Sequence, residues 1–191
     1  MLAGGESRRM GSDKALLSRG GETQLGHAYR LLAGCTEQAW ISTRESQAAG
    51  AERARYPQIV DRYAGLGPLA GILSAMDQAP DAAWLVLACD LPNVDEATLR
   101  ALLAGRAPAQ PFTAFRSSHD DLPEPLCAIY EPGSRALLDG FIADGVNCPR
   151  KIMIRSATAL LRQPDPAALD NVNTPQDLEE NAARVSLEVA S

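Results

Sequence analysis

The densest chemistry in the sequence lies at its start. Leu2-Ala-Gly-Gly-Glu-Ser-Arg-Arg-Met-Gly-Ser-Asp-Lys14 gathers paired glycines, a hydroxyl and three cations in one short segment. Paired glycines let backbone N–H groups turn inward and approach a phosphate closely. Ser7 adds a hydroxyl donor. Arg8 or Arg9 can clamp phosphate oxygens through a bidentate fork, and Lys14 adds a point charge. No Gly-Lys-Ser/Thr ends the segment, so it is not a Walker A loop. The chemistry it suits is the binding of a phosphorylated ligand.

A second set of residues follows the apolar runs of the chain. Ser42 and Thr43 follow Gln38–Ile41, Asp61 follows Gln58–Val60, and Asp90 follows Trp84–Cys89. Asn173 follows Ala168–Val172. If these runs are strands of an open, mostly parallel sheet, their carboxyl ends share one edge, where ligands bind. Asp and Asn are also common at turns and caps, so Asn173 or Thr43 alone carries little weight. Asp90 carries more, because a carboxylate ending a wholly apolar strand is well placed to hold a metal.

One motif points elsewhere. Gly65-Leu-Gly67-Pro-Leu-Ala70 fits the G-x-G-x-x-G/A dinucleotide fingerprint, with Asp90 further along. Asp61-Arg-Tyr-Ala64 separates it from its strand, and Pro68 stands inside the turn. A helix starting at Pro68, its N–H groups facing the same sheet edge, is the better reading. His27 and His119 are too isolated for a catalytic triad, and Ser7 has no partner base. His27 reads as structural. Asp120, Asp121 and Glu124 read as a solvated turn.

The elements that must position these groups alternate between strand and helix, which indicates an α/β layered fold. Strands are expected at Gln38–Ser42, Gln58–Val60, Trp84–Cys89, Phe112–Phe115, Leu126–Tyr130 and Ala168–Val172. The run Trp84-Leu-Val-Leu-Ala-Cys89 is continuous, as in a central strand covered on both faces. Leu25, Ala28 and Leu32 recur at helical spacing after a Thr23 cap. Leu99, Leu102 and Leu103 form a stripe between Asp95 and Gly105. Leu137, Leu138, Phe141 and Ile142 form another, closed by Gly145. A last helix begins with Thr174 as cap and Pro175 at its first position.

The chain has 191 residues, 46% of them hydrophobic, and a formal net charge of −6. That length suits one domain, expected over 1–185, with 186–191 a frayed tail. Its sign of charge disfavours nucleic-acid and membrane-surface partners. No secretory signal or spanning run is present, which points to the cytoplasm. Cys35, Cys89, Cys127 and Cys148 lack zinc spacing and are expected to be reduced, mostly buried thiols.

The glycine-rich segment, Asp61, Gly67-Pro-Leu-Ala-Gly-Ile72, Cys89-Asp-Leu-Pro92, Pro125-Leu-Cys-Ala-Ile-Tyr130 and Asn171-Val-Asn-Thr-Pro175 together resemble the MobA-like, molybdenum cofactor guanylyltransferase family of nucleotidyltransferases. The blocks occur in the family's order across nearly the whole chain. The resemblance implies a three-layer α/β/α Rossmann-like fold with a mostly parallel mixed sheet. It implies transfer of GMP from GTP to molybdopterin with release of pyrophosphate, using Mg²⁺, and molybdoenzymes or other cofactor-synthesis proteins as further partners. Leu2, Ala3, Gly4 and Gly5 would line the nucleotide, and Arg9 and Lys14 would hold its triphosphate. Ser42 stands where the family often has a nucleotide-contacting Asn. Asp61 would contact the nucleotide, Asp90 would bind Mg²⁺, and Asn171 and Asn173 would face the acceptor. The alternatives are a relative using CTP or a sugar-phosphate acceptor, and a non-catalytic nucleotide-binding module.

One departure stands out. Such a loop follows a strand in this fold, and Met1-Leu2 is about five residues too short to make one. The first strand is therefore expected to be missing, either because the start is assigned too late or because the chain is shortened; if it is shortened, Leu2–Gly5 is expected to be unanchored and the chain low in stability or GTP affinity.

Overall fold

The computed structural model describes residues 1–4, 13–19 and 21–171, with Lys14 and Arg19 described by their backbone. After a 3₁₀ turn at Lys14–Leu16, strands β1 (Ser18–Arg19) and β2 (Glu22–Thr23) form a small hairpin. There follow α1 (Gln24–Cys35), β3 (Ile41–Thr43), α2 (Glu45–Ala48), a 3₁₀ turn at Arg53–Arg55, β4 (Gln58–Val60), α3 (Pro68–Gln78) and β5 (Trp84–Leu87). The second half comprises α4 (Glu96–Ala104), β6 (Phe112–Arg116), β7 (Pro123–Tyr130), α5 (Ser134–Ala143), α6 (Pro149–Ile154) and β8 (Thr158–Leu161).

β3 pairs in parallel with β4, and the order β5-β7-β6-β8 forms a four-stranded ladder. β7 runs antiparallel to both neighbours, and β6 pairs in parallel with β8. The two ladders are joined by the first residues of the chain. Leu2 makes parallel bridges to Ser42 on one side and Ala88 on the other. Leu2 donates to the Leu87 carbonyl at 2.8 Å, and Cys89 donates to the Leu2 carbonyl at 3.3 Å. Ser42 donates to Met1 O at 2.7 Å, and Ala3 donates to Ser42 O at 2.9 Å. The position expected to be vacant is therefore filled by three residues, which anchor Leu2 on both sides.

Side chains alternate across this sheet, as the period of a strand demands. Leu87, Phe115, Cys127 and Ile129 face α1 and α4, packing with Leu25, Leu32, Leu99 and Leu102. Val86, Phe112, Ala128 and Tyr130 face α3, α5 and α6, packing with Leu69, Leu73, Leu138 and Ile152. The result is the expected three-layer α/β/α arrangement.

The helix caps match the sequence signals. Thr23 Oγ1 accepts from Gly26 N at 3.0 Å, and Asp95 Oδ1 from Thr98 N at 2.7 Å. Pro68 opens α3, and Gly145 follows α5 with φ +77°.

Three expectations are corrected. Residues 168–171 form turn and irregular backbone, not a strand. Asp165 sets that turn: its side chain accepts from Ala167 N at 2.9 Å and its carbonyl from Ala168 N at 3.1 Å. β8 and α6 occupy a stretch for which no element was expected. Glu124 lies in β7, and Arg150 pairs with both Glu124 and Asp120, so these are not merely a solvated turn. All four cysteines are free; Cys127 is buried and the others are partly so. His27 ties α1 to the Val94 carbonyl at 3.2 Å, a structural contact. Residues from 172 onward, including the expected last helix and tail, lie outside the described residues. Among the described residues, no helix is long and apolar enough to cross a membrane.

Candidate functional site

The carboxyl ends of residues 1–3, β3, β4 and β5 open into a cleft of about 780 Å³. Leu2, Ala3 and Gly4 lie in its wall together with Ser42, Asp61 and Asp90. Six of the expected nucleotide residues are thus brought together on one edge of the sheet.

The wall has a close-packed floor. A Cβ on Gly71 would meet Ser42 Oγ at 2.1 Å and Leu2 Cδ2 at 2.8 Å. Only glycine lets α3 approach the sheet this closely. Ser42 Oγ in turn donates to Asp61 Oδ1 at 2.6 Å. Burial pushes the Asp61 carboxyl up from its ordinary range, against the opposing pull of the Ser42 hydrogen bond and the Arg44 charge.

The loop from Asp61 to Gly67 forms the adjoining wall. Gly65 and Gly67 have φ of +76° and +56°, a conformation that favours glycine. Their spacing reflects this turn into α3 and not a dinucleotide fingerprint. Tyr63 fastens the loop. Its hydroxyl donates to Asp77 Oδ2 at 2.8 Å and accepts from Arg135 Nη2 at 3.0 Å, while Arg135 also pairs with Asp77. The Arg62 N–H donates to Ser74 Oγ at 2.9 Å.

Also in the lining, Asp90 follows Cys89, and Asp13 re-enters the described chain after the glycine-rich segment. Burial, with the charges of Asp90 and Asp13 next, pushes the Cys89 thiol up to about 12, so it is no nucleophile. Asp13 is already committed: its Oδ2 pairs with Arg53 Nη1 at 2.6 Å and its Oδ1 accepts from Ala15 N at 3.2 Å. Among the described residues, no three His, Cys, Asp or Glu side chains cluster as a metal cage. Mg²⁺ does not need one, since it is commonly held by one or two carboxylates plus substrate phosphates and water. The oxygen-only chemistry of Asp90 on a cleft wall fits that mode.

The other expected residues fare differently. Gly5, Arg9 and Asn173 lie outside the described residues. Lys14 begins the 3₁₀ turn after Asp13. Asn171 is exposed and stands outside the wall of this cleft. Its neighbour Asp170 meets His119 Nε2 at 2.8 Å, and Ala167 O accepts from Asn93 Nδ2 at 3.1 Å, close behind the Asp90 turn. Sequence reasoning missed Asp13, Arg44, Tyr63 and Arg53. The motif containing Asp13 stands out for its cations, and nothing in the spacing signals its ion pair.

Residues 1–159 match the model of the MobA-like NTP transferase domain. The chain is 34% identical over 177 residues to the molybdenum cofactor biosynthesis bifunctional protein of Synechocystis sp., covering 93% of this chain but 51% of that protein. It thus spans about half the length of that relative. It is 33% identical over 181 residues to the molybdenum cofactor guanylyltransferase of Pseudomonas fluorescens, covering 94% of this chain and 90% of that one. Among solved structures, molybdopterin-guanine dinucleotide biosynthesis protein A from Archaeoglobus fulgidus has the same fold, with a TM-score of 0.78 at 24% identity. That match covers 97% of this chain and 96% of the other.

Proposed function

The chain belongs to the MobA-like NTP transferase family, and from that premise we propose that it transfers GMP from GTP to molybdopterin, releasing pyrophosphate. Nucleotidyl transfer in molybdenum cofactor biosynthesis is what the family and its named relatives support. The observation that carries the finer reading is the placement of Leu2. Its bridges to Ser42 and Ala88 start the glycine-rich segment between Asp61 on one side and Asp90 on the other. A nucleotide laid on that segment has one carboxylate for its nucleoside end and another near its phosphates.

In the proposed reaction, the terminal phosphate of the acceptor attacks the α-phosphorus of GTP. A new phosphorus–oxygen bond forms as the bond to the bridging oxygen breaks, and pyrophosphate carries away the electron pair. Little covalent help is needed; positioning and neutralisation of charge do most of the work. The backbone of Leu2, Ala3, Gly4 and Gly5 cradles the nucleotide. Arg9 and Lys14 hold the triphosphate, and Lys14 stabilises charge that builds toward pyrophosphate. Ser42 and Asp61 contact the nucleoside, and the acceptor is assigned to Asn171 and Asn173. Asp90 would hold Mg²⁺, which would supply positive charge to neutralise the phosphates.

Pyrophosphate release tests this reading, measured with molybdopterin, Mg²⁺ and either GTP, CTP or ATP. Release with GTP alone is expected. Release with CTP alone would make the chain a cytidylyl relative, and silence with all three in folded protein would remove molybdopterin as the acceptor and favour a different acceptor or a non-catalytic module.

A further inference from the structure

Arg53 is a cation with no place in the chemistry just described, yet its side chain is only 4% exposed. It does not line the cleft. Burying a guanidinium is costly unless its charge and N–H groups are met. Here Nη1 pairs with Asp13 Oδ2 at 2.6 Å and Nη2 donates to the Ala3 carbonyl at 2.9 Å, while Nε is buried without a partner. Ala3 stands just before the paired glycines, and Asp13 stands just before Lys14. One planar group therefore holds both ends of the glycine-rich segment.

The segment that carries Arg53 is itself braced. Gln58 Nε2, at the start of β4, donates to Arg53 O at 3.0 Å and to Ala48 O at 3.1 Å. Glu52 accepts from the hydroxyl of Thr23, the cap of α1, at 3.2 Å. The Tyr56 ring lies 4.6 Å from that of Tyr29 on α1. Arg53 thus reaches the loop from a support anchored to one strand and one helix.

We propose that Arg53 is a positioning residue for nucleotide binding, tying together Ala3 and Asp13, two residues of the cleft wall. This rests on the reading of that cleft as the nucleotide site. Fixing two wall residues in advance lowers the ordering cost that binding must otherwise meet. A lysine cannot replace the fork, since a single ammonium lacks the planar pair of N–H vectors that reach both acceptors.

The experiment is calorimetric titration of GTP with Mg²⁺ into wild type, Arg53→Lys, Arg53→Met, Asp13→Asn and the Arg53→Met/Asp13→Asn double variant. Melting temperature, kcat and the KM of each substrate are measured alongside. Expected is a rise of about tenfold or more in the GTP Kd for each single variant, equivalent to ~1.4 kcal/mol. The acceptor KM stays within about twofold, and the double variant binds no more weakly than the worse single one, as two halves of one pair should. A merely structural role would lower the melting temperature and leave the Kd of the folded fraction, or shift both KM values together; either outcome overturns the proposal. Arg53→Lys and Asp13→Asn keep the test open if Arg53→Met does not fold. Wild type that binds no GTP refutes the reading of the cleft as the nucleotide site, whereas wild type that binds with variants that bind equally well refutes only the role of Arg53.

Discussion

Ser42 and Asp61 close the carboxyl ends of two adjacent parallel strands onto each other. Ser42 Oγ donates to Asp61 Oδ1 at 2.6 Å, and the Asp61 N–H donates to Thr43 O at 2.9 Å. The carboxylate is thereby held at the cleft wall, although burial disfavours its charge.

Asp61→Asn tests that tension. A carboxyl raised by folding favours the protonated form in the folded state. The stability this gives is fully present below the ordinary carboxylate pKa and is lost as pH rises through the raised one. At pH 7 the wild type therefore carries a destabilising charge that asparagine lacks. Asp61→Asn is expected to melt roughly 1–2 °C higher at pH 7, with the difference vanishing below about pH 4. GTP affinity falls in the same variant. A melting temperature that does not change with pH relative to wild type counts against the buried charge.

Ala substitution at two helical glycines should have opposite effects. Gly71→Ala drives a methyl into Ser42 and Leu2, so α3 must move off the sheet at a cost of about 1–3 kcal/mol. Gly140, in α5, has nothing within 4 Å of a new Cβ. Gly140→Ala should instead stabilise by roughly 0.5–1 kcal/mol through helix propensity. Urea unfolding of both variants checks the signs, and equal shifts would mean that the Gly71 contact relaxes freely.

Asp90→Ala should cost the chemical step two orders of magnitude or more, on the scale of losing one main stabiliser of transition-state charge. Single-turnover rates with GTP and acceptor make the measurement, and a loss of tenfold or less in folded protein counts against the metal role.

Arg106 and Glu131 offer an asymmetric pair. Two N–H groups of Arg106 reach the Glu131 oxygens at 2.6 and 2.7 Å, but Arg106 is 41% exposed and Glu131 only 6%. Removing the cation strands a buried carboxylate, whereas removing the carboxylate leaves a cation that water can reach. Arg106→Met is therefore expected to cost more stability than Glu131→Gln, by about 1 kcal/mol or more. Chemical denaturation at pH 7 decides the order.

Much of this architecture was legible in the chain. Continuous apolar runs located β4, β5, β6 and part of β7, and Thr23, Pro68 and Asp95 marked helix starts through the chemistry of their side chains. Two polar residues at strand ends, Asp61 and Asp90, reached the cleft because parallel strands share an edge. What stayed hidden depended on contacts between distant residues. Arg53 lies in a stretch rich in Ala and Arg in which no motif stands out. Its burial comes from Asp13 and Ala3, which periodicity does not link to it. The Ala168–Val172 expectation failed because apolar content outweighed the Asp165-Pro166 turn signal before it. β8 passed unnoticed because Thr158–Leu161 alternates too briefly to stand out. Residues 1–3 are too few for a regular strand, yet a bridge needs only one residue with partners on both sides.

That bridge has a kinetic consequence. Leu2 cannot complete its pairing until Ala88 and the β3 segment are both available, although it is near the start of the chain. Such widely separated partners raise contact order and slow the search for the native state. Mutations that loosen Leu2, Ser42 or Ala88 should therefore slow refolding as well as weaken the fold, and the nucleotide cleft should be among the last features to mature.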